Sequence, residues 1–255
     1  LPSDLCRLGS DPTAAPAAVF PSASRTSRPN WRRLDYLAHG NPRQRAAHAL
    51  LMAGLWDELA ERCADMALVS TLAIGLDRPG SDLDILCQHP NPAAFAATFA
   101  EQGWQASAKG DHVWLLERTF PAIDRRTADK NGASWPVELY VTPTPIETQN
   151  GWRHLTLMAA LLERFGDAFY REVLRLRLEQ GLKGEAAMCR LLGLAGDPYA
   201  ALLTLEGRKL TELSWQRPSR DDGRLFTDTA TNPPAVTISS TPVYPVPPKS
   251  PTPTS

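Results

Sequence analysis

The spacing of apolar residues changes period twice along the chain. From Pro42 to about Arg62, Ala46, Leu50, Ala53, Leu55, Leu59 and Cys63 recur at helical spacing. Asn41-Pro42 supplies a cap and a first-turn proline for that helix, and Gly54 weakens the pattern without ending it. A shorter helix over Trp31–Ala38, closed by His39-Gly40, precedes it. Strand-like runs then follow, over Ala67–Ile74 and Asp82–Cys87. The intervening Gly75–Ser81 is too short for a crossover helix, so these strands are expected to pair antiparallel. Asn91-Pro92 opens a helix over Pro92–Glu101, stopped by Gly103. Trp104–Ala108 and His112–Glu117 predict a hairpin around Lys109-Gly110-Asp111. A polar stretch, Asp124–Gly132, reads as a loop, and Pro136–Val141 as a strand. Past Glu147 the helical period returns, over Trp152–Phe165, Asp167–Gln180, Gly184–Leu192 and Tyr199–Leu205.

This order predicts an α+β fold, with a small mixed sheet and flanking helices followed by a helical C-terminal half. The expected boundaries are an α/β domain over 30–147 and a helical subdomain over 148–214. Residues 1–29 are rich in Ala, Pro, Ser and Arg, and 215–255 in Pro, Thr and Ser. Neither has an apolar period, so a disordered leader and a disordered tail are expected.

Composition narrows the partners. Lys and Arg number 27 against 28 Asp and Glu, a net charge of -1. That balance offers no field for a long nucleic acid or a polybasic membrane patch. No apolar run approaches the length of a membrane span. Cys6, Cys63, Cys87 and Cys189 form no CxxC pair, and the last three sit in apolar surroundings, as buried thiols of a reducing, cytoplasmic compartment would.

The candidate chemistry starts at Ser81-Asp82-Leu83-Asp84. Alternation along a strand sends Asp82 and Asp84 to one face, with Cα atoms about 6 to 7 Å apart. A lone acid at a strand entrance faces water; two in this pattern, before a buried run, suit a hard divalent metal. Glu138 interrupts an apolar strand between Val137 and Leu139. Such an acid faces solvent on a one-sided sheet, unless its strand lies beside the Asp82-Asp84 strand. In that case three carboxylates converge into a metal clamp suited to nucleotidyl transfer. Arg153 and His154, in Gln149-Asn150-Gly151-Trp152-Arg153-His154, could meet phosphate or a base edge, or simply open a helix. Lys183, just before a helix, could contact an anion or simply be solvated. No His/Cys set has zinc spacing, and no P-loop or dinucleotide glycine pattern occurs.

Val69-Ser70-Thr71, a spacer of about ten residues, then Asp82-Leu83-Asp84-Ile85 resembles the signature of the nucleotidyltransferase superfamily that includes polymerase beta. The resemblance implies a nucleotidyltransferase-type sheet with Asp82, Asp84 and Glu138 as metal-binding and catalytic acids. It places Thr71 toward the nucleotide phosphates; Ser70, Ser81, Arg153 and His154 stand beside it as the other candidate nucleotide contacts. It also implies Mg2+ or Mn2+ and an NTP, ATP foremost, whose NMP passes to a hydroxyl or phosphate of a small molecule or protein. Ser70 departs from the pattern, which usually has Gly, and a stiffened phosphate turn motivates a second expectation. That alternative is a catalytically silent nucleotidyltransferase-fold binding or antitoxin-like interaction module. The sequence is also similar to an uncharacterised bacterial domain-of-unknown-function family within the superfamily. That similarity rests on Asn41-Pro42-Arg43-Gln44, Ser70-Thr71 through Ile85, Val137–Tyr140, Gln149–His154 and Gly196-Asp197-Pro198-Tyr199.

Overall fold

Asn41 forms a full capping box with Gln44, and helix α1 runs over Pro42–Leu50. It does not continue unbroken to Arg62. A π turn at Leu51–Leu55, with Gly54 at φ 124°, ψ -25°, joins it to α2 (Trp56–Arg62). The turn keeps Leu50, Leu51, Trp56 and Leu59 all buried. The short helix before α1 is a 3-10 turn, Asp35–His39. The computed structural model describes residues 30–121 and 134–217. The predicted leader, the Asp124–Gly132 loop and nearly all of the predicted tail lie outside those residues.

Strand β1 (Asp65–Leu68) is shorter than the predicted strand over Ala67–Ile74. Ser70 ends it: the side chain accepts from Leu72 N and caps a 3-10 turn over Thr71–Ile74. The remaining elements are β2 (Leu83–Gln88), α3 (Pro92–Glu101), β3 (Gln105–Gly110), β4 (Val113–Pro121) and β5 (Ser134–Thr142). After them come α4 (Asn150–Gln180), α5 (Gly184–Leu192) and α6 (Pro198–Leu203). Helix α4 joins the two helices predicted on either side of Gly166, which sits non-helically inside it at φ 68°, ψ -163°.

The fold is α+β, and its five-stranded sheet has the order β1-β2-β5-β4-β3. β1 and β2 pair antiparallel, as expected, although the link between them runs from Val69 to Asp82 rather than over Gly75–Ser81 alone, and β2 and β5 pair parallel. β5–β4 and β4–β3 are antiparallel. On one face, Leu83, Ile85, Val137, Leu139 and Leu116 are fully or almost fully buried in a core shared with Phe95, Phe99 and Trp104. Each such large apolar side chain contributes about 1.5–3 kcal/mol relative to exposure. The opposite face carries Ala67 and Leu86, covered by Ile146 and by Trp152 at the start of α4. Gly151 makes that approach possible, since a Cβ there would stand 3.2 Å from Val69. Cys63, Cys87 and Cys189 are free thiols, with Cys63 only half-buried. Among the described residues no helix is long and apolar enough to cross a membrane.

Candidate functional site

The site begins where the cover over the second face ends. Two residues before Leu86 on that face stands Asp84, whose Cα partner on β5 is Glu138. Glu138 in turn opposes Glu117 on β4. Register partners share a face, so three carboxylates form a row across three adjacent strands, with Asp82 just ahead of β2. Like charges placed directly opposite destabilise a sheet, so the row needs compensation.

The chain presents these acids with a clipped turn. Ser70 Oγ donates to the Asp82 carbonyl at 2.7 Å, and Val69 N donates to the Asp84 carbonyl at 2.8 Å. Ser81 closes the preceding turn, accepting from Arg78 N at 3.0 Å and donating its own N–H to Arg78 O at 2.9 Å. The helical part grips the same loop. Tyr170 donates to the Gly75 carbonyl at 2.8 Å, and Arg78 Nη1 to the Gly181 carbonyl at 2.7 Å.

The electrostatics follow from that placement. Burial, then the fields of Glu138, Asp82 and Glu185, push the Asp84 carboxyl up to about 7. Burial and Glu117 raise Asp82; burial, Asp82 and Glu117 raise Glu138. Lys183 opposes the rise at all three acids. Its ammonium lies 5.6 Å from the centre of the Tyr199 ring. Among the described residues, none donates a hydrogen bond to these three carboxylates.

The structure thus brings Ser70, Thr71, Ser81, Asp82, Asp84 and Glu138 into one region. Ser70 is spent on the turn, and its backbone at φ -60°, ψ 148° is extended and open to any residue. The turn in this conformation therefore makes no demand that only Gly could meet. Thr71 Oγ1 accepts from Arg177 Nη2 at 3.2 Å. His154 is buried, with Nε2 3.1 Å from the Tyr199 carbonyl and Nδ1 3.9 Å from Glu185 Oε1. It supports the wall made by α5 and α6. Arg153 is not brought in. It pairs with Glu206 and Asn150 and lines a separate surface cavity of about 270 Å³ beside Trp152 and Leu157. Glu117, Glu185 and Arg177 were not singled out by sequence pattern, and Lys183 was weighed between an anion contact and a solvated side chain. Strand register places Glu117, the second half of α4 places Arg177, and the return of α5 places Lys183 and Glu185.

Among the described residues, no three His, Cys, Asp or Glu side chains are gathered as a ready metal-ligand set. The donors do fit a hard divalent cation in kind: carboxylate oxygens, partly buried, mutually repelling and, among the described residues, without hydrogen-bond donors.

Residues 48–205 match the model of a family described as a domain of unknown function (DUF4269). The chain belongs to that family. The DUF4269 match runs from within α1 to just beyond α6 and takes in every acid of the row, Lys183 and Arg177. Asn41-Pro42-Arg43-Gln44 falls ahead of it. No curated protein and no solved structure matches the chain.

Proposed function

We propose that the protein is a divalent-metal-dependent nucleotidyltransferase of the polymerase-beta-like superfamily. In this reading it moves NMP from an NTP, ATP foremost, to a hydroxyl or phosphate of a small molecule or protein. The observation that carries the reading is the in-register pairing of Asp84 with Glu138, beside Asp82, where the apolar cover of the sheet stops. Asp82, Asp84 and Glu138 would hold Mg2+ or Mn2+, which supplies positive charge against the triphosphate when bound. The acceptor oxygen forms a bond to the α-phosphorus, the bond to the β-bridging oxygen breaks, and pyrophosphate leaves. Glu138, with its carboxyl raised above the usual range, is the acid suited to take the acceptor's proton. Ser70 fixes the backbone from which Asp82 projects, and Lys183 limits the repulsion among the acids.

Calorimetric titration of ATP with Mg2+ against wild type and a D82A/D84A variant tests this reading. Binding is expected in the first and lost in the second; equal binding by both overturns it. The absence of a gathered three-ligand set among the described residues favours a second reading, a silent nucleotidyltransferase-fold binding or antitoxin-like module. Pyrophosphate release from a panel of NTPs and acceptors, lost on mutating the acids, would eliminate that module.

A further inference from the structure

Cys87 lies on the core face of β2, in line with Leu83 and Ile85, and is fully buried. Cys63 closes α2; it is only half-buried and packs against the same core. The backbone holds Cys63 in place from both sides. Its N–H donates to the Leu59 carbonyl at 2.8 Å, which fixes it to the helix. The next residue, Ala64, donates from N to the Gln88 carbonyl at 2.9 Å, which fixes the chain to the strand. Met66, three residues on from Cys63, is the register partner of Cys87. The two thiols stand in hydrogen-bonding contact as a result, and that contact, then burial, push the Cys87 thiol well above its ordinary range. Solvent reaches this end of the strand pair. A surface cavity of about 190 Å³ takes in Arg62, the neighbour of Cys63, and His89, two residues past Cys87. Cys189 is elsewhere, on α5, with its thiol 3.4 Å from the Pro198 carbonyl.

We propose that Cys63 and Cys87 are an oxidation site, at which a hydroperoxide turns the thiol pair into a reversible disulfide between the end of α2 and β2. An accessible thiol beside a second, resolving thiol is the arrangement such chemistry needs. The Cys63 sulfur takes one peroxide oxygen: an S–O bond forms, the O–O bond breaks, and the first water leaves. The Cys87 sulfur then displaces that oxygen from Cys63: the S–S bond forms, the S–O bond breaks, and a second water carries off the Cys87 proton. Two thiols are oxidised and one hydroperoxide is reduced. Thiols already in contact need little backbone movement to bond. The closed ring, residues 63–87, contains Ser70, Thr71, Asp82 and Asp84. The bond therefore clamps both ends of the segment that carries two acids of the row. Neither step calls on those acids, so the site stands apart from the nucleotidyltransferase reading.

Brief exposure of the full chain to hydrogen peroxide, then alkylation and peptide mapping without reductant, tests the pair. A linked peptide holding Cys63 and Cys87 is expected, with free thiols falling from four to two and returning to four on adding dithiothreitol. In C87S the oxidised Cys63 has no partner and is expected to be trapped as a sulfenic acid by dimedone. In C63S, Cys87 is expected to remain a thiol. Oxidised wild type is expected to melt about 5–10 °C above the reduced protein, because the ring restricts the unfolded chain. Four free thiols after peroxide overturn the site. So does Cys63 carried to sulfinic acid without a link, or a link that uses Cys6, Cys189 or a second copy of the chain. An unchanged or lowered melting temperature on forming the bond overturns the clamp. Should C87S not fold, the peptide map of the wild type decides alone.

Discussion

Asp84 concentrates the physical tension of the site in one side chain. Its carboxyl ordinarily titrates near 3.8 and is pushed up to about 7 in the fold. Between those values the folded state binds more protons than the unfolded state, so stability falls as pH rises. The favourable contribution is complete below about pH 4 and is lost as pH passes through about 7, at a cost of up to about 4 kcal/mol. Asp82 and Glu138 shift in the same direction and add to the slope. In metal-free buffer D84N is therefore expected to be more stable than wild type at pH 8 and to flatten the fall between pH 5 and 8. Urea melts across that range check it; a wild-type stability that rises with pH there would contradict the placement of Asp84. Asp82 and Asp84 were legible because their spacing alone sends both to one face. Glu117 was not, since Leu116-Glu117-Arg118 looks like any hairpin edge until β4 is registered against Glu138. Ser70 needed the structure for a related reason: residue type says what backbone is permitted, and only the structure shows that the turn needs nothing unusual there.

At the level of elements, periodicity located the segments better than it located their ends. α3 and α5 begin and end as predicted because Asn91-Pro92, Gly103, Gly181 and Gly193 punctuate them locally. β1 stops early because a side-chain cap at Ser70 competes with the ladder, which no apolar count registers. Gly166 was read as the break between two helices, and the chain does break there, with one residue at φ 68°, ψ -163° between the two halves of α4. That region is essentially restricted to glycine, and a Cβ there would meet nothing within 4 Å. Backbone strain is then the whole effect of Gly166→Ala, expected to cost about 1–3 kcal/mol in urea unfolding. An unchanged midpoint would mean that α4 straightens at no cost. The kink also separates Met158, which packs at Gly184, from Tyr170 and Arg177, which hold Gly75 and Thr71 in the loop beside the acids.

For the whole molecule, the decisive feature is the insertion of β5 between β2 and β4. The sequence limited the options, because a tight turn pairs β3 with β4, while the antiparallel pairing of β1 with β2 came out as expected although β1 ends at Leu68 and the link to Leu83 is longer than Gly75–Ser81. Which edge of β2 received β5 was open, and the answer converts scattered acids into a row. A fold that holds such a row without donors is under repulsion that a cation can relieve, and this makes metal a ligand of the folded state alone. Ligand at 100 times its dissociation constant stabilises by about 2.7 kcal/mol, which for a chain of this size raises the melting temperature by about 5–10 °C. Mg2+ or Mn2+ at pH 8 is therefore expected to raise the wild-type melting temperature in that range. D84N and E138Q should start from higher metal-free values and lose most of the gain, while R153A, whose partners are Glu206 and Asn150, should keep it. Sodium chloride at matched ionic strength distinguishes coordination from general screening. Equal shifts in wild type, D84N and E138Q would mean that the acids hold no metal, and the row would then stand as the surface of a binding module rather than a catalytic centre.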